Sequence, residues 1–207
     1  MTTKDRFSMT LGEAIFTQRA IRRFRSDPIP TSTIKDILEA AIRAPNGSND
    51  QPWHFIVIQD STIRSQFAQL YKEAWWAKRK DEGINGPQDI SRDNRVKQSA
   101  MRLAEEIGQA PVIIIICATN TGSGSISSVI PATQNLLLAA RSLGIGGTIT
   151  TLHHQVEDRI KKLLNMPKTA QIVYCVPLGY PKGQFGPTNR KPLGEVCSSE
   201  KWDTPLV

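Results

Sequence analysis

Apolar and polar positions recur along the 207-residue chain with two periods, and the change from one to the other marks its elements. Ile34, Ile37, Leu38, Ala41 and Ile42 fall at i, i+3, i+4, i+7 and i+8. That predicts a helix with one apolar face, capped by Thr31 or Ser32 and ended by Pro45. Ile63, Phe67, Leu70, Tyr71 and Ala74 predict another over about 61–80, with Trp75 and Trp76 on it. Val96, Ala100, Leu103 and Ile107 predict a third, Ile130–Leu143 an apolar one closed by Gly144, and Val156–Leu164 a basic amphipathic one. Near the N-terminus Thr10-Leu-Gly-Glu13 has the form of a capping box and predicts a helix reaching about 19–22.

Three short β-rich runs, Phe55–Ile58, Val112–Ala118 and Ile172–Leu178, are continuously apolar, which predicts strands buried on both faces. Asp81–Ser91 and Thr119–Ser128 read as loops, and Ile145–Thr151 as a Gly/Thr segment of no clear type. From Gly179 to the end the chain is rich in Pro, Gly and polar residues. A segment of that length inside a compact domain needs a surface to lie on, and Trp202 and Pro192-Leu193 suggest packing against a partner subunit. No repeat or change of composition marks a boundary, so residues 1–207 read as a single α+β or three-layer domain.

Composition narrows this little: 39% hydrophobic and 22% charged residues are ordinary for a globular protein. No apolar run is long enough to span a membrane and Met1–Thr10 lacks an apolar signal core, so a cytoplasmic location is expected. Cys117, Cys175 and Cys197 form no C-x-x-C, and the first two lie in apolar runs as small core residues. The net charge of +7 favours anionic partners. The basic residues are dispersed, however, and Lys78-Arg79-Lys80 is followed at once by Asp81-Glu82. No aromatic–basic interleaving marks a base-stacking surface, and an anionic small molecule with phosphates fits the charge equally well.

Candidate chemistry is sparse. The only histidines are His54, His153 and His154, with no G-x-S-x-G and no H-E-x-x-H, so triad hydrolysis and metal hydrolysis are set aside. His153 and His154 read as surface or helix-capping residues. Gly122-Ser-Gly124 follows a strand but lacks the third glycine of a dinucleotide fingerprint. What remains is arginine and amide. Arg19, Arg22 and Arg23, with Gln18 beside them, would share a helix face, where guanidinium groups suit phosphate or carboxylate; a solvated basic face is the plain alternative. Asn46, Ser48, Asn49 and Gln51 offer donors and acceptors suited to the edge of a planar heterocycle, or else to capping their own loop. Gly146-Gly147-Thr148 would let backbone approach a ligand, or simply turn.

Taken in order, Gln18-Arg-Ala-Ile-Arg-Arg-Phe24, Asp27-Pro-Ile-Pro30, Ala44-Pro-Asn-Gly-Ser-Asn-Asp-Gln-Pro-Trp53, Leu143-Gly-Ile-Gly-Gly147, Leu178-Gly-Tyr-Pro181 and Arg190-Lys-Pro-Leu193 resemble the nitroreductase family of flavoenzymes. Only about 72–106 has no clear match. The resemblance implies a three-layer α/β/α sandwich on a central mixed, mainly antiparallel sheet. It implies a homodimer with FMN at the interface and a C-terminal tail, 179–207, crossing the partner. It implies a flavin bordered by Pro45, Asn46, Gly47, Asn49 and Gln51 of one subunit, with Trp53 left to the core. Gln18, Arg19, Ala20, Arg22 and the tail's Arg190 would take its phosphate and pyrimidine side, and Ile149, Thr150, Thr151 and Leu152 would lie near its reactive nitrogen. Gln18 stands where the family usually has Arg, and Ala20 where it has Ser, so one charge and one hydroxyl are lost. The divergent 72–106 segment is expected to form a lid, with Trp75 and Trp76 stacking on substrate.

The activity implied is hydride transfer from NAD(P)H to FMN and then reduction of a nitroaromatic, quinone or similar electron-poor acceptor, by a ping-pong scheme. No residue is needed as acid, base or nucleophile, because the flavin carries the redox chemistry. Alternatives are a reductive dehalogenase or flavin-cleaving relative of the same fold, and a non-catalytic FMN-binding protein. A basic nucleic-acid-binding domain is a third class, to be told apart by salt-dependent DNA binding without flavin.

Overall fold

The strongest element is the most uniformly apolar one. In the computed structural model, which describes residues 3–206, Val112–Ala118 forms strand β2, buried along its whole length. Met1 and Thr2 of the polar N-terminus and Val207 of the tail lie outside the described residues. β2 pairs antiparallel with β1 (Trp53–Ile58) on one side and β4 (Gln171–Gly179) on the other, and β4 pairs antiparallel with the short β3 (Gly146–Gly147). The order is β1-β2-β4-β3. The sheet is antiparallel throughout, apart from one parallel bridge between Ala20 and Gly147.

Strand alternation divides the core in two. Ile113, Ile115 and Cys117 face Phe67, Leu70, Tyr71, Leu103 and Ile160, supplied by α3 (Ser61–Asp81), α4 (Arg95–Glu106) and α6 (Glu157–Leu163). Val112, Ile114 and Ile116 face Ile34, Ile37, Leu136 and Ala140 of α2 (Thr31–Ala41) and α5 (Ser123–Ser142). The result is the expected α/β/α sandwich. Cys117 and Cys175 are buried core residues, and burial pushes the Cys117 thiol up to about 12.

Several expectations shift. β1 was expected to be buried on both faces, but it is an edge strand with only Ile58 fully buried. α2 begins after Pro30 with no side-chain cap, so neither Thr31 nor Ser32 caps it, and it ends at Ala41 before Pro45. The loop expected over Thr119–Ser128 ends early, because α5 starts at Ser123. The hydroxyls of Ser127 and Ser128 donate back to Ser123 O and Gly124 O, so these polar residues satisfy themselves within the helix. Trp202 is 90% exposed, so nothing among the described residues covers it.

Candidate functional site

The helix opening at Thr10 is short. Thr10 Oγ1 accepts from Glu13 N at 3.2 Å, as the capping box predicts, but α1 (Leu11–Thr17) stops at Thr17. Residues 18–24 form an extended strap, not a helix. Ile21 N donates to Gly147 O at 3.0 Å, Phe24 bridges Pro181, and Arg25 N donates to Tyr180 O at 2.8 Å. The open edges of β3 and of the chain leaving β4 outcompete further helical turns. Arg19, Arg22 and Arg23 therefore do not share a helix face: Arg19 and Arg23 are exposed and Arg22 is half-buried. Arg19 and Arg22 have no carboxylate partner among the described residues, while Arg23 Nε lies 3.7 Å from Glu106.

The glycine pair accepts this strap. A Cβ on Gly146 would stand 2.5 Å from Ile21 Cγ1, and one on Gly147 would stand 2.6 Å from Leu178 Cδ2 and 2.9 Å from Pro177 O. The close approach expected to serve a ligand serves the protein's own packing at both positions. Beyond it, Thr150 exchanges two backbone hydrogen bonds of 3.0 Å with Cys175, continuing the sheet edge. Ile149 and Thr151 are exposed, and Leu152 is half-buried against the core.

His153 anchors the end of this edge. It is fully buried, which overturns the expectation of a surface histidine; His154 is exposed as expected. His153 Nε2 lies 3.0 Å from Ile172 O. A carbonyl only accepts, so Nε2 carries the hydrogen and Nδ1 is left bare and without a partner. Burial pushes His153 down to about 4, with the neighbouring His154 adding to the effect, so the ring is neutral at pH 7. Tyr71 of α3 sits beneath the same edge. Burial pushes its phenol up to about 12, against the opposing pull of nearby Thr150 and Arg22. The Thr150 hydroxyl is buried close to it without a hydrogen bond of ordinary geometry.

The amide loop is built differently. Ser48, Asn49 and Gln51 all have φ between 48° and 56°, a concentration of left-handed backbone at non-glycine residues. Asn46 Oδ1 accepts from Gln51 N at 2.9 Å, Gln51 Nε2 donates to Asn49 O at 3.4 Å, and Gly47 N donates to the Ser128 hydroxyl at 3.3 Å. Some of the amide capacity is thus used on the loop itself. The Asn49 side chain and Asn46 Nδ2 remain free among the described residues. Pro45, Gly47, Asn49 and Gln51 are exposed and Asn46 is half-buried.

The two groups are far apart in one chain. The loop leads into Trp53, which pairs with Ala118 and through it with Gln171, whereas Gly147 pairs with Leu178. That is seven residues along β4 and three strand spacings across, a separation of about 25 Å. It exceeds the width of a three-ring heterocycle. Arg190, exposed in the tail, meets neither group and bonds only Asn189 O, at 2.9 Å.

Trp75 is also displaced from its expected role. It lies in the core at 6% exposure with Arg79 Cζ 4.5 Å over its ring, because it continues the apolar face of α3. Its ring has no free face for a substrate. Trp76 is half-buried and donates to Glu105 Oε1 at 3.0 Å. Lys72 pairs with the same Glu105, and Arg79 and Lys97 pair with Glu82, so α3 and α4 are cross-linked. Sequence reasoning missed a second cationic set. Arg95, Ser99 and Arg102 of α4, at helical spacing, line a groove with Arg92 and Arg23.

The donor set suits a flavin nucleotide. Unpaired guanidinium groups match its phosphate, and free amides match the N–H and C=O edge of its pyrimidine ring. Residues 15–180 match the family described as nitroreductase. An NADH dehydrogenase of Thermus thermophilus is 30% identical over 200 residues, covering 88% of this chain and 92% of that protein. Among solved structures, the FMN-dependent nitroreductase NfnB of Mycobacterium smegmatis in complex with NADPH superposes with a TM-score of 0.72 at 23% identity, covering 92% of this chain and 97% of that one. Oxidized iodotyrosine deiodinase bound to FMN and 3-iodo-L-tyrosine gives 0.74 at 22% identity, covering 94% and 100%.

Proposed function

From the premise that the chain belongs to the nitroreductase family, we propose that it is an FMN-dependent oxidoreductase. It draws electrons from NAD(P)H and delivers them to a nitroaromatic, quinone or similar electron-poor acceptor. The observation that carries this reading is the pair of complementary half-sites about 25 Å apart in one chain. Two copies in antiparallel arrangement bring the strap of one against the loop of the other, so the site is complete only in a homodimer. The exposed apolar residues Leu11, Ile15 and Phe16 of α1, and Leu193, Val196 and Trp202 of the tail, supply surface for a second copy to cover.

Bound FMN would supply the redox chemistry that links the donor to the acceptor. The chain's own residues bind and orient it. Arg22, Arg19 and Gln18 hold the phosphate and the pyrimidine edge, and Arg22 places a fixed cation where negative charge develops on reduction. Asn46, Asn49 and Gln51 fix the ring by its polar edge, with Pro45 and Gly47 shaping the loop. Ile149, Thr150, Thr151 and Leu152 would hold its ring, Arg190 of the second copy's tail would bind its phosphate, and Trp76 would contact the acceptor. No acid or base is required. A cytoplasmic location fits, and no helix among the described residues is long and apolar enough to cross a membrane.

The test is the visible spectrum of the purified protein, followed by denaturation and identification of what is released. Released FMN, together with NAD(P)H oxidation that depends on an added quinone or nitroaromatic, is the expected result. A colourless protein that takes up no added FMN would overturn the proposal.

A further inference from the structure

Four guanidinium groups converge beside the strap. Arg23, Arg92, Arg95 and Arg102 line one groove of about 790 Å³, with Gln88, Gln98 and Ser99 among the other lining residues and no carboxylate among them. The volume is that of a small-molecule site. Arg23 is held by its backbone, since its carbonyl accepts from Lys182 N at 3.0 Å, and its side chain has only the distant Glu106 carboxylate at 3.7 Å. Arg92, Arg95 and Arg102 have no ion pair among the described residues. Arg95 and Arg102 lie two turns apart on one face of α4, and Asn94 caps that helix by accepting from Lys97 N at 3.0 Å. Gln98 is tied back by donating to Ile90 O at 2.9 Å, which fixes the floor.

Like charges gathered on separate elements repel one another. Such a set is stabilised when a dianion sits between them, and guanidinium forks fit a phosphate monoester. Arg23 is itself part of the strap, so a ligand lying in the groove reaches the strap. Its lining holds cations without an opposing carboxylate, which fits a polyanion and not a zwitterion.

We propose that this groove binds the phosphate monoester of the electron donor, the 2′-phosphate that distinguishes NADPH from NADH, and so makes the enzyme selective for the phosphorylated donor. This rests on the proposed function for the identity of the donor. The same guanidinium chemistry would accept a phosphorylated acceptor, and the experiment separates the two sources.

Two readouts are combined on the FMN-loaded protein and its Arg92→Ala and Arg95→Ala variants. The first is kcat/KM for NADPH and for NADH with one fixed quinone. The second is calorimetric titration with adenosine 2′,5′-bisphosphate and with adenosine 5′-monophosphate, which needs no turnover. Each variant is expected to lose about tenfold in kcat/KM for NADPH, the worth of one charge-assisted hydrogen bond, and less than twofold for NADH. FMN content should be unchanged. The bisphosphate should bind the parent protein at least tenfold more tightly than the monophosphate, weaken with rising salt, and lose that advantage in the variants. Equal losses for both donors, or no preference for the bisphosphate, would overturn the proposal. Bisphosphate binding that leaves the NADPH to NADH ratio untouched in the variants would assign the groove to a phosphorylated acceptor and overturn it as a donor site. A protein without flavin that still prefers the bisphosphate would break the proposed function and leave the groove standing. Flavin-dependent turnover without donor discrimination would do the reverse.

Discussion

The strap with its glycine edge and the amide loop are both short, polar and aligned with family motifs, yet they are stabilised in opposite ways. The strap is pinned by backbone bonds to Gly147 and Tyr180 and by Ile21, which packs on Gly146 too closely for any Cβ there. Its Arg19 and Arg22 side chains are left without a carboxylate partner among the described residues. The loop has few anchors outside itself, holds three non-glycine residues at positive φ, and uses its own amides to keep that shape. Where a half-site is fixed by main chain, its side chains stay available for a ligand. Where it is fixed by side chains, ligand binding and loop shape depend on the same groups.

The largest effect expected concerns the anchor of the first region. His153 is depressed to about 4, below an unfolded value near 6.5. The unfolded chain therefore binds the proton first as pH falls. The stability His153 contributes is present above pH 6.5 and is lost progressively down to about pH 4, amounting to about 3 kcal/mol. Urea unfolding at pH 7 and pH 4.5 should show that loss, and His153→Gln should shed most of it; an equally steep variant would place the acid sensitivity elsewhere.

Next comes the glycine contact. Gly147→Ala should cost about 1–3 kcal/mol by forcing β3 and β4 apart, read as a lower urea midpoint at unchanged slope. A neutral result would mean that β3 is not packed tightly on β4 there.

Arg22→Ala tests the free side chains. FMN affinity should fall about 10–100-fold with the urea midpoint unchanged, and the flavin reduction potential should drop as the cation is removed. Unchanged affinity and potential would remove Arg22 from the site. The smallest effect belongs to the loop. Ser48→Gly should stabilise by about 0.5–1 kcal/mol, because φ 53° is costly for Ser and free for Gly. Destabilisation by this change would show that the Ser48 side chain holds the loop after all.

The same contrast explains what the sequence could and could not reveal. The apolar periods fix β2, β4, α3 and α4 closely, since each carries its own burial pattern. The strap is illegible locally, because its partner Gly147 lies far along the chain and no 3.6-residue or two-residue period encodes that pairing. The start of α5 is not legible because its first turns are Gly and Ser, which read as loop; the Ser127 and Ser128 hydroxyls are satisfied by carbonyls of the first turn. Residue types at the candidate site, and their division between two subunits, were legible through motif resemblance; the extended form of the strap, where a helix was expected, was not. The placement of Trp75 depended on which side of α3 faces the sheet. The groove on α4 went unread because dispersed arginines meet only when α4 packs beside the strap.

The central claim is that one site needs the strap of one subunit and the loop of the other. Co-expression of Arg22→Ala and Asn46→Ala chains under distinct tags, with isolation of the mixed dimer and titration with FMN, tests it directly. Each variant homodimer carries two damaged sites, while the mixed dimer carries one site as intact as in the unsubstituted parent protein and one doubly damaged. One FMN per mixed dimer at parental affinity is expected. A mixed dimer no better than either homodimer would contradict the shared site.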